Sequence, residues 1–249
     1  TETGRAFHER CVQLLADLEE AERGASQGGA TPRGTLKLTC PITYGVRVLA
    51  PAIAAFVARH AQVRVDVELS DRAVDLVDEG IDLAVRIGAI RSQFLVARRI
   101  GSTTLVCCAS PDYLARHGTP RTPEDLSRHA CLTYEYAPVR NQWRFASPDG
   151  SERAVRVAGP IHANNGRMLV ALAAQGAGIA LEPDFIVAPE VADGRLVPLL
   201  DDWSPPAIQT TSALAIVSRT EGTLAALAEL MISVATELIP GQSSRMYGL

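Results

Sequence analysis

The sequence predicts an α/β fold in two lobes, and three observations carry that expectation. Short apolar strands alternate with helical stripes between Leu36 and Ala109, a pattern that favours a mostly parallel sheet with helices on both faces. At Ser110 the chain changes character: Pro111, Pro120 and Pro123 punctuate two short helices before a second set of strands. The 249 residues, 47% of them hydrophobic, are enough for one large domain or two of ordinary size.

Residues 3–25 read as one helix. Phe7, Cys11, Leu14, Leu18 and Ala21, followed by Ala25, are spaced as the seam of a coiled coil between charged flanks. The seam is short, so both dimerisation and a helix lying on its own domain fit it. Residues 27–34 form a hinge by composition. Leu36 to Cys40 reads as a strand, and Val46, Leu49, Ala50, Ile53, Phe56 and Val57 as a helical stripe. Pro51 is compatible with a regular helix that starts close before it. Val63 to Leu69 alternates as a strand.

The segment from Ser70 to Gly88 is the densest in information. Val74, Leu76 and Val77 with Asp71 and Asp75 suggest a helix stopped by Gly80. Ile81 to Ile87 then alternates, with Ile81, Leu83, Val85 and Ile87 on one face and Asp82, Ala84 and Arg86 on the other. Gly88 allows close approach at the strand end. Asp82 and Arg86 fit either a wet strand face or a strand that brings a guanidinium to a cleft. The two side chains share a face, which also allows them to pair.

Leu95 to Ile100 and Thr104 to Ala109 read as strands, and Asp112 to His117 and Pro123 to His129 as short helices. Strands follow at Cys131 to Tyr136, Gln142 to Ala146 and Arg153 to Val157, then a helix at Asn165 to Gln175. Ile179 to Leu181 is a strand, Pro183 to Val191 a helix and Leu196 to Leu199 a strand. Ala213 to Val217 and a helix over Gly222 to Ile239 end the pattern. The lobes are expected to join near Cys108 to Ser110 and again near Ile208 to Ser212.

Several function classes find no support. Net charge is −4, so no global basic field draws nucleic acid, and Lys37 is the only lysine among 24 basic residues. The five cysteines lack C-x-x-C spacing; Cys40, Cys107 and Cys108 read as buried small hydrophobes in a reducing compartment. No run approaches the ~18 apolar residues of a membrane span, and no secretory signal is recognisable. The chain is expected to be a soluble, cytoplasmic fragment of a longer protein. Gly-x-Ser-x-Gly, P-loop and His-Glu-x-x-His patterns are absent, and the scattered histidines show no metal-ligand spacing. Neither a cofactor nor a metal is expected.

Two polar helix starts stand out instead. Pro41-Ile42-Thr43-Tyr44-Gly45 and Ala163-Asn164-Asn165-Gly166-Arg167 each lie between a strand and a helix. Thr and Asn suit N-cap positions, and helix N-termini present unpaired N–H groups. One such start per lobe could clamp a small anion; each start could equally cap only its own helix.

These residues resemble a family. Thr3-Gly-Arg-Ala-Phe7 with its seam and Pro32-Arg-Gly-Thr-Leu36 resemble the linker helix and domain entry of LysR-type transcriptional regulators. Ser70 to Gly88 is similar to that family's Ser-Asp-Arg…Asp-Leu-Val-x-Glu-Gly-x-Asp-Leu-Ala-x-Arg-Ile-Gly run. Val106 to Leu114 resembles its crossover, and Ala173 to Pro183 its second-lobe helix and strand.

The resemblance implies a two-lobed, periplasmic-binding-protein-like (type 2) effector domain behind a long N-terminal linker helix. It divides the chain into a linker helix (1–26), a hinge (27–34), lobe I (35–109 and 212–240), lobe II (110–211) and a tail (241–249). A small metabolite effector, often an organic acid, is implied between the lobes of a dimer or tetramer. The implied ligand positions are Pro41, Ile42 and Thr43; Arg86, Ile87 and Gly88; Asn164 and Asn165; Glu182 and Pro183; and Tyr134. The family's winged helix-turn-helix is missing from this sequence, so the chain is expected to sense and dimerise, with DNA contact only through that missing domain. A transporter's solute-binding protein, on the same fold, is the alternative. An enzyme such as a deaminase ranks third, for want of an acid–base constellation.

Overall fold

The computed structural model describes residues 33–76, 78–87, 96–137, 139, 141–147, 149–203 and 212–218. The expected coiled-coil seam (Phe7, Cys11, Leu14, Leu18, Ala21), most of the hinge, Gly88, the helix over 222–239 and the tail lie outside them.

Alternation of Leu36, Leu38 and Cys40 builds β1 (Gly34–Cys40), and all three side chains are buried. It runs parallel to β2 (Val63–Leu69) and to β3 (Leu83–Ile87). On the far side of β3, β12 (Ser212–Ser218) returns antiparallel and pairs in turn with β4 (Val96–Thr103). The order β2-β1-β3-β12-β4 brings the last described strand back to the first lobe, as the resemblance implied. A central β3 explains why Leu83, Ala84 and Val85 are all buried: both faces are covered, so the expected wet face exists only at the strand's ends.

The first helix, α1, covers Ile42–Arg59. Its regular α-helical part starts at Ala50, close before Pro51 as expected, after a π-turn at Gly45–Leu49 where the Ala50 N–H donates to the Gly45 carbonyl. The wider turn accommodates a residue with no N–H of its own. Tyr44, Leu49, Ala52 and Phe56 seal it against Leu36, Leu38, Leu83 and Val85. The helix is apolar enough for a membrane span, but its apolar side forms this core.

Ser70 to Gly80 is not the expected helix. One turn forms, with Glu79 N–H donating to the Asp75 carbonyl and Ile81 N–H to the Leu76 carbonyl. The Asp75 carboxylate takes the Asp78 N–H, the local competition that makes aspartate a poor helix former. Gly80 does adopt positive φ, +63°, and turns the chain into β3. Leu76, Ile81 and Ala84 form a small core on the sheet's other face.

The second sheet has the order β11-β5-β10-β6-β9. Its strands are β5 (Leu105–Ala109), β6 (Cys131–Tyr134), β9 (His162–Ala163), β10 (Ile179–Pro183) and β11 (Val197–Leu199). β5 is antiparallel to β10 and β11, while β6 is parallel to β10 and β9. Both sheets are therefore mixed rather than mostly parallel.

The first crossover also needs correction. It falls at Thr104, between β4 and β5, not at Cys108 to Ser110, so residues 105–109 belong to the second lobe. Hydrogen bonding decides this, since both edges of β5 are paired within the second sheet.

Neighbouring residues of this sheet feed opposite cores. Cys107, Cys131 and Ile179 join Tyr113, Leu126, Trp143 and Phe145 on one face. Cys108, Leu132 and Ala180 join Leu169, Val170, Ala173 and Ile186 on the other. The hairpin of β7 (Gln142–Ala146) and β8 (Glu152–Arg156) supplies Trp143 and Phe145 of the first. α2 (Pro111–His117) packs on that side, whereas α3 (Gly166–Ala174) and α4 (Asp184–Ala192) cover the second. Residues Pro123–Arg128 form a 3-10 turn. Cys40, Cys107 and Cys108 are free and buried, as their apolar surroundings predicted, and so is Cys131.

Gly159 enters the second sheet so closely that an added Cβ would lie 2.1 Å from the Cys131 carbonyl oxygen. Backbone cannot retreat as a side-chain tip can. Gly159→Ala is expected to cost about 3 kcal/mol, read as a lower midpoint in urea denaturation; an unchanged midpoint would contradict this packing.

Candidate functional site

The two polar helix starts meet at a carboxylate that the sequence reading had placed in a helix. Asp71 sits in the loop after β2, at the carboxyl end of a strand, where α/β sheets place ligands. Its Oδ1 accepts the Ile42 N–H at 2.9 Å and its Oδ2 accepts from Asn165 Nδ2 at 3.0 Å. Ile42 opens α1 in the first lobe and Asn165 precedes α3 in the second. One side chain thus satisfies a helix-end donor in lobe I and binds the cap of the helix in lobe II.

The caps differ from expectation in one lobe and match it in the other. Asn165 is the N-cap of α3, its Oδ1 accepting the Met168 N–H at 3.1 Å. In α1 the N-cap is Pro41, which has no side chain to offer, and Thr43 is a buried residue of the first turn. The capping acceptor comes from Asp71, 29 residues away. Asn165→Ala is expected to cost about 1 kcal/mol through loss of its cap, together with a looser lobe contact. Thermal denaturation checks this, and an unchanged melting temperature would contradict it.

Arg86 points toward the same loop. Its guanidinium donates to the Ser70 carbonyl and to Thr39 Oγ1, both at 3.2 Å. Burial lowers its pKa, opposed by Cys40, Glu68, Asp71 and Glu79. It does not pair with Asp82, whose carboxylate instead accepts the Lys37 N–H at 2.9 Å and so braces β1. Cys40, between α1 and this loop, is pushed up to about 11 by burial.

From the second lobe, Glu182 reaches the start of α3. It is 3% exposed, and a Cβ on Gly166 would lie 2.2 Å from its Oε2. Among the described residues no hydrogen bond or ion pair reaches its carboxyl. Burial first, and the charge of Asp71 second, raise its pKa to about 8. The group is therefore mostly protonated at neutral pH and has an O–H to donate. Tyr134 is half-buried beside it, its pKa raised by burial and then by Asp71 and Glu182. Asp71 thus acts electrostatically on Cys40 and Arg86 of one lobe and on Tyr134 and Glu182 of the other.

The remaining sequence-derived positions are less central. Pro183 ends β10 and caps α4, Ile87 packs on the first-lobe core, and Asn164 is exposed. Sequence reasoning missed Asp71 as a bridge and missed the second interlobe contact altogether. There the Asp184 carboxylate accepts from Thr103 Oγ1 at 2.6 Å and Thr104 Oγ1 at 3.0 Å, fixing the crossover to the start of α4. Phe185 packs edge-on against Tyr44, ring centroids 5.8 Å apart, and its carbonyl accepts from Arg47 at 3.0 Å. Among the described residues no group of three or more His, Cys, Asp or Glu is placed to hold a metal.

Two mixed α/β lobes joined by strand crossover, with a helix start from each meeting at their boundary, define a protein of the type 2 periplasmic-binding-protein-like class. Within that class the family is specific: residues 29–239 match the LysR substrate binding domain, and the chain belongs to that family. An HTH-type transcriptional regulator of Haemophilus influenzae is 35% identical over 203 residues, covering 82% of this chain and 70% of that protein. The HTH-type transcriptional regulator DmlR of Escherichia coli is 33% identical over 208 residues, covering 83% of this chain and 67% of that protein. Among solved structures, CrgA, a LysR-type transcriptional regulator from Neisseria meningitidis, superposes with a TM-score of 0.71 at 27% identity. That match covers 97% of this chain and 80% of CrgA.

Proposed function

We propose that this chain is the sensing part of a LysR-type transcriptional regulator, taking a small anionic or polar metabolite between its lobes. The observation that carries the reading is the meeting of the Ile42 N–H and the Asn165 amide, one donor from each lobe, at a single carboxylate. A ligand there biases lobe or subunit arrangement only by binding one arrangement more tightly than the other. Ile42, Thr43 and Asn165 are the proposed head-group contacts. Pro41, Arg86, Ile87, Gly88, Tyr134, Asn164, Glu182 and Pro183 complete the proposed surroundings.

Calorimetric titration of small organic acids into the wild-type chain tests the site. Thr43→Ala and Asn165→Ala are expected to weaken binding of a confirmed effector about tenfold or more, the loss of a hydrogen bond to a charged group. Unchanged affinity in both variants would sink the assignment.

The regulator reading also includes assembly through Phe7, Cys11, Leu14, Leu18 and Ala21 into a dimer or tetramer, a cytoplasmic location without a membrane partner, and DNA contact by a helix-turn-helix of the whole protein. Sedimentation separates it from the solute-binding alternative: a strict monomer at high concentration favours the latter.

A further inference from the structure

We propose that Asp71 is an internal stand-in for the effector's carboxylate: an acidic effector enters by displacing Asp71 from the Ile42 N–H and Asn165 Nδ2, and so replaces a lobe contact made by the chain's own side chain with one made through the ligand. This rests on the sensing reading above and deepens it.

The receptor is specific for an acceptor. Asn165 cannot turn its amide around, because its Oδ1 is committed to the Met168 N–H. Its Nδ2 must therefore meet an acceptor, and Asp71 Oδ2 is the one present. Across the lobe boundary the Ile42 N–H, at the head of the 18-residue helix α1, is likewise a donor with no partner in its own helix. Both donors are already used by Asp71. A ligand carboxylate can gain them only by exchange, and exchange at Asn165 Nδ2 breaks the Asp71 bond that joins lobe I to lobe II.

Glu182 is the independent sign that the place is built for more than Asp71. It is 97% buried by its 3% exposure, lies against Gly166 beside Asn165, and has no hydrogen-bond partner among the described residues. A buried carboxyl without a partner is costly unless something binds it. A second acceptor group on an incoming acid supplies that partner, because the protonated carboxyl donates. The favoured ligand is thus a small acid with a further acceptor near its carboxylate.

Chemical rescue in the 249-residue chain tests the exchange without knowing the effector. Asp71→Ala empties the acceptor position. Acetate is expected to raise its melting temperature and to bind with a Kd in the range of about 1 mM. Wild type is expected to bind acetate at least about tenfold more weakly. Acetamide, and chloride at equal ionic strength, are expected to do nothing, and Asp71→Ala/Asn165→Ala is expected to lose the acetate response. If Asp71→Ala does not fold, Asp71→Ser carries the same expectation. An equal acetate response in wild type and the Asp71 variant, or none in either, overturns the exchange. Neither result touches the sensing reading, which stands or falls on the organic-acid titration of Thr43→Ala and Asn165→Ala.

Discussion

Phe56→Ala is expected to destabilise the protein by about 4 kcal/mol, the typical cost of truncating a fully buried aromatic side chain. Phe56 is fully buried near the end of α1, among Leu36, Leu38, Leu49, Val63 and Leu83, with the His60 ring 4.9 Å away by centroid. Alanine removes the ring's transfer energy and leaves a cavity between helix and sheet. Strands β1 and β3 cannot close that cavity without breaking their parallel pairing. Val57, the next residue but exposed, provides the control: Val57→Ala is expected to cost less than about 1 kcal/mol. Urea denaturation of both variants checks the pair. Similar losses would mean that α1 is packed on a different face. The same helix carries the Ile42 N–H at its other end, so its seating sets where that donor points.

Glu182 is expected to make stability fall as pH rises. Its folded-state pKa of about 8 lies above the ordinary 4.5, so between these values the folded chain holds a proton that the unfolded chain releases. The resulting stability is complete below pH 4.5 and is lost as pH climbs through about 8. The slope approaches about 1.4 kcal/mol per pH unit, and the total is on the order of 5 kcal/mol. Glu182→Gln keeps the shape and cannot ionise. Melting curves from pH 5 to 9 are expected to show a steep decline in wild type and a shallower one in the variant, with the variant more stable above pH 8. Parallel declines would show that Glu182 does not carry the effect. The sign also matters at the site, since acid conditions keep the group a donor and alkaline conditions add a second negative charge near Asp71.

The legible parts of the sequence were those governed by near neighbours. Leu36, Leu38 and Cys40 alternate because a strand alternates, and they are buried as a set. Asn165 caps α3 through a residue three positions on, and Ser110 caps α2 through Tyr113 in the same way. Such contacts are written in local order. Ser70 to Gly80 departs from the expected helix because its aspartates, which suit a helix start by charge, also have carboxylates that compete for backbone N–H groups, as Asp75 does for Asp78. The crossover was misplaced because Leu105 to Ala109 is an apolar strand in either lobe; only its pairing with β10 and β11 assigns it.

By itself the sequence determined an α/β chain in two lobes, most of its strands and helices, its buried thiols, and a polar helix start in each lobe. Periodicity and capping suffice for these, because the groups involved lie within a few residues of one another. Tertiary structure alone decided that Arg86 bonds Ser70 and Thr39 rather than Asp82, that Asp184 ties the crossover, and that Asp71 joins Ile42 to Asn165. Asp71 and Asn165 are 94 positions apart. A hydrogen bond needs partners about 3 Å apart in space, and no pattern along the chain encodes which distant donor a carboxylate will meet once two sheets have packed.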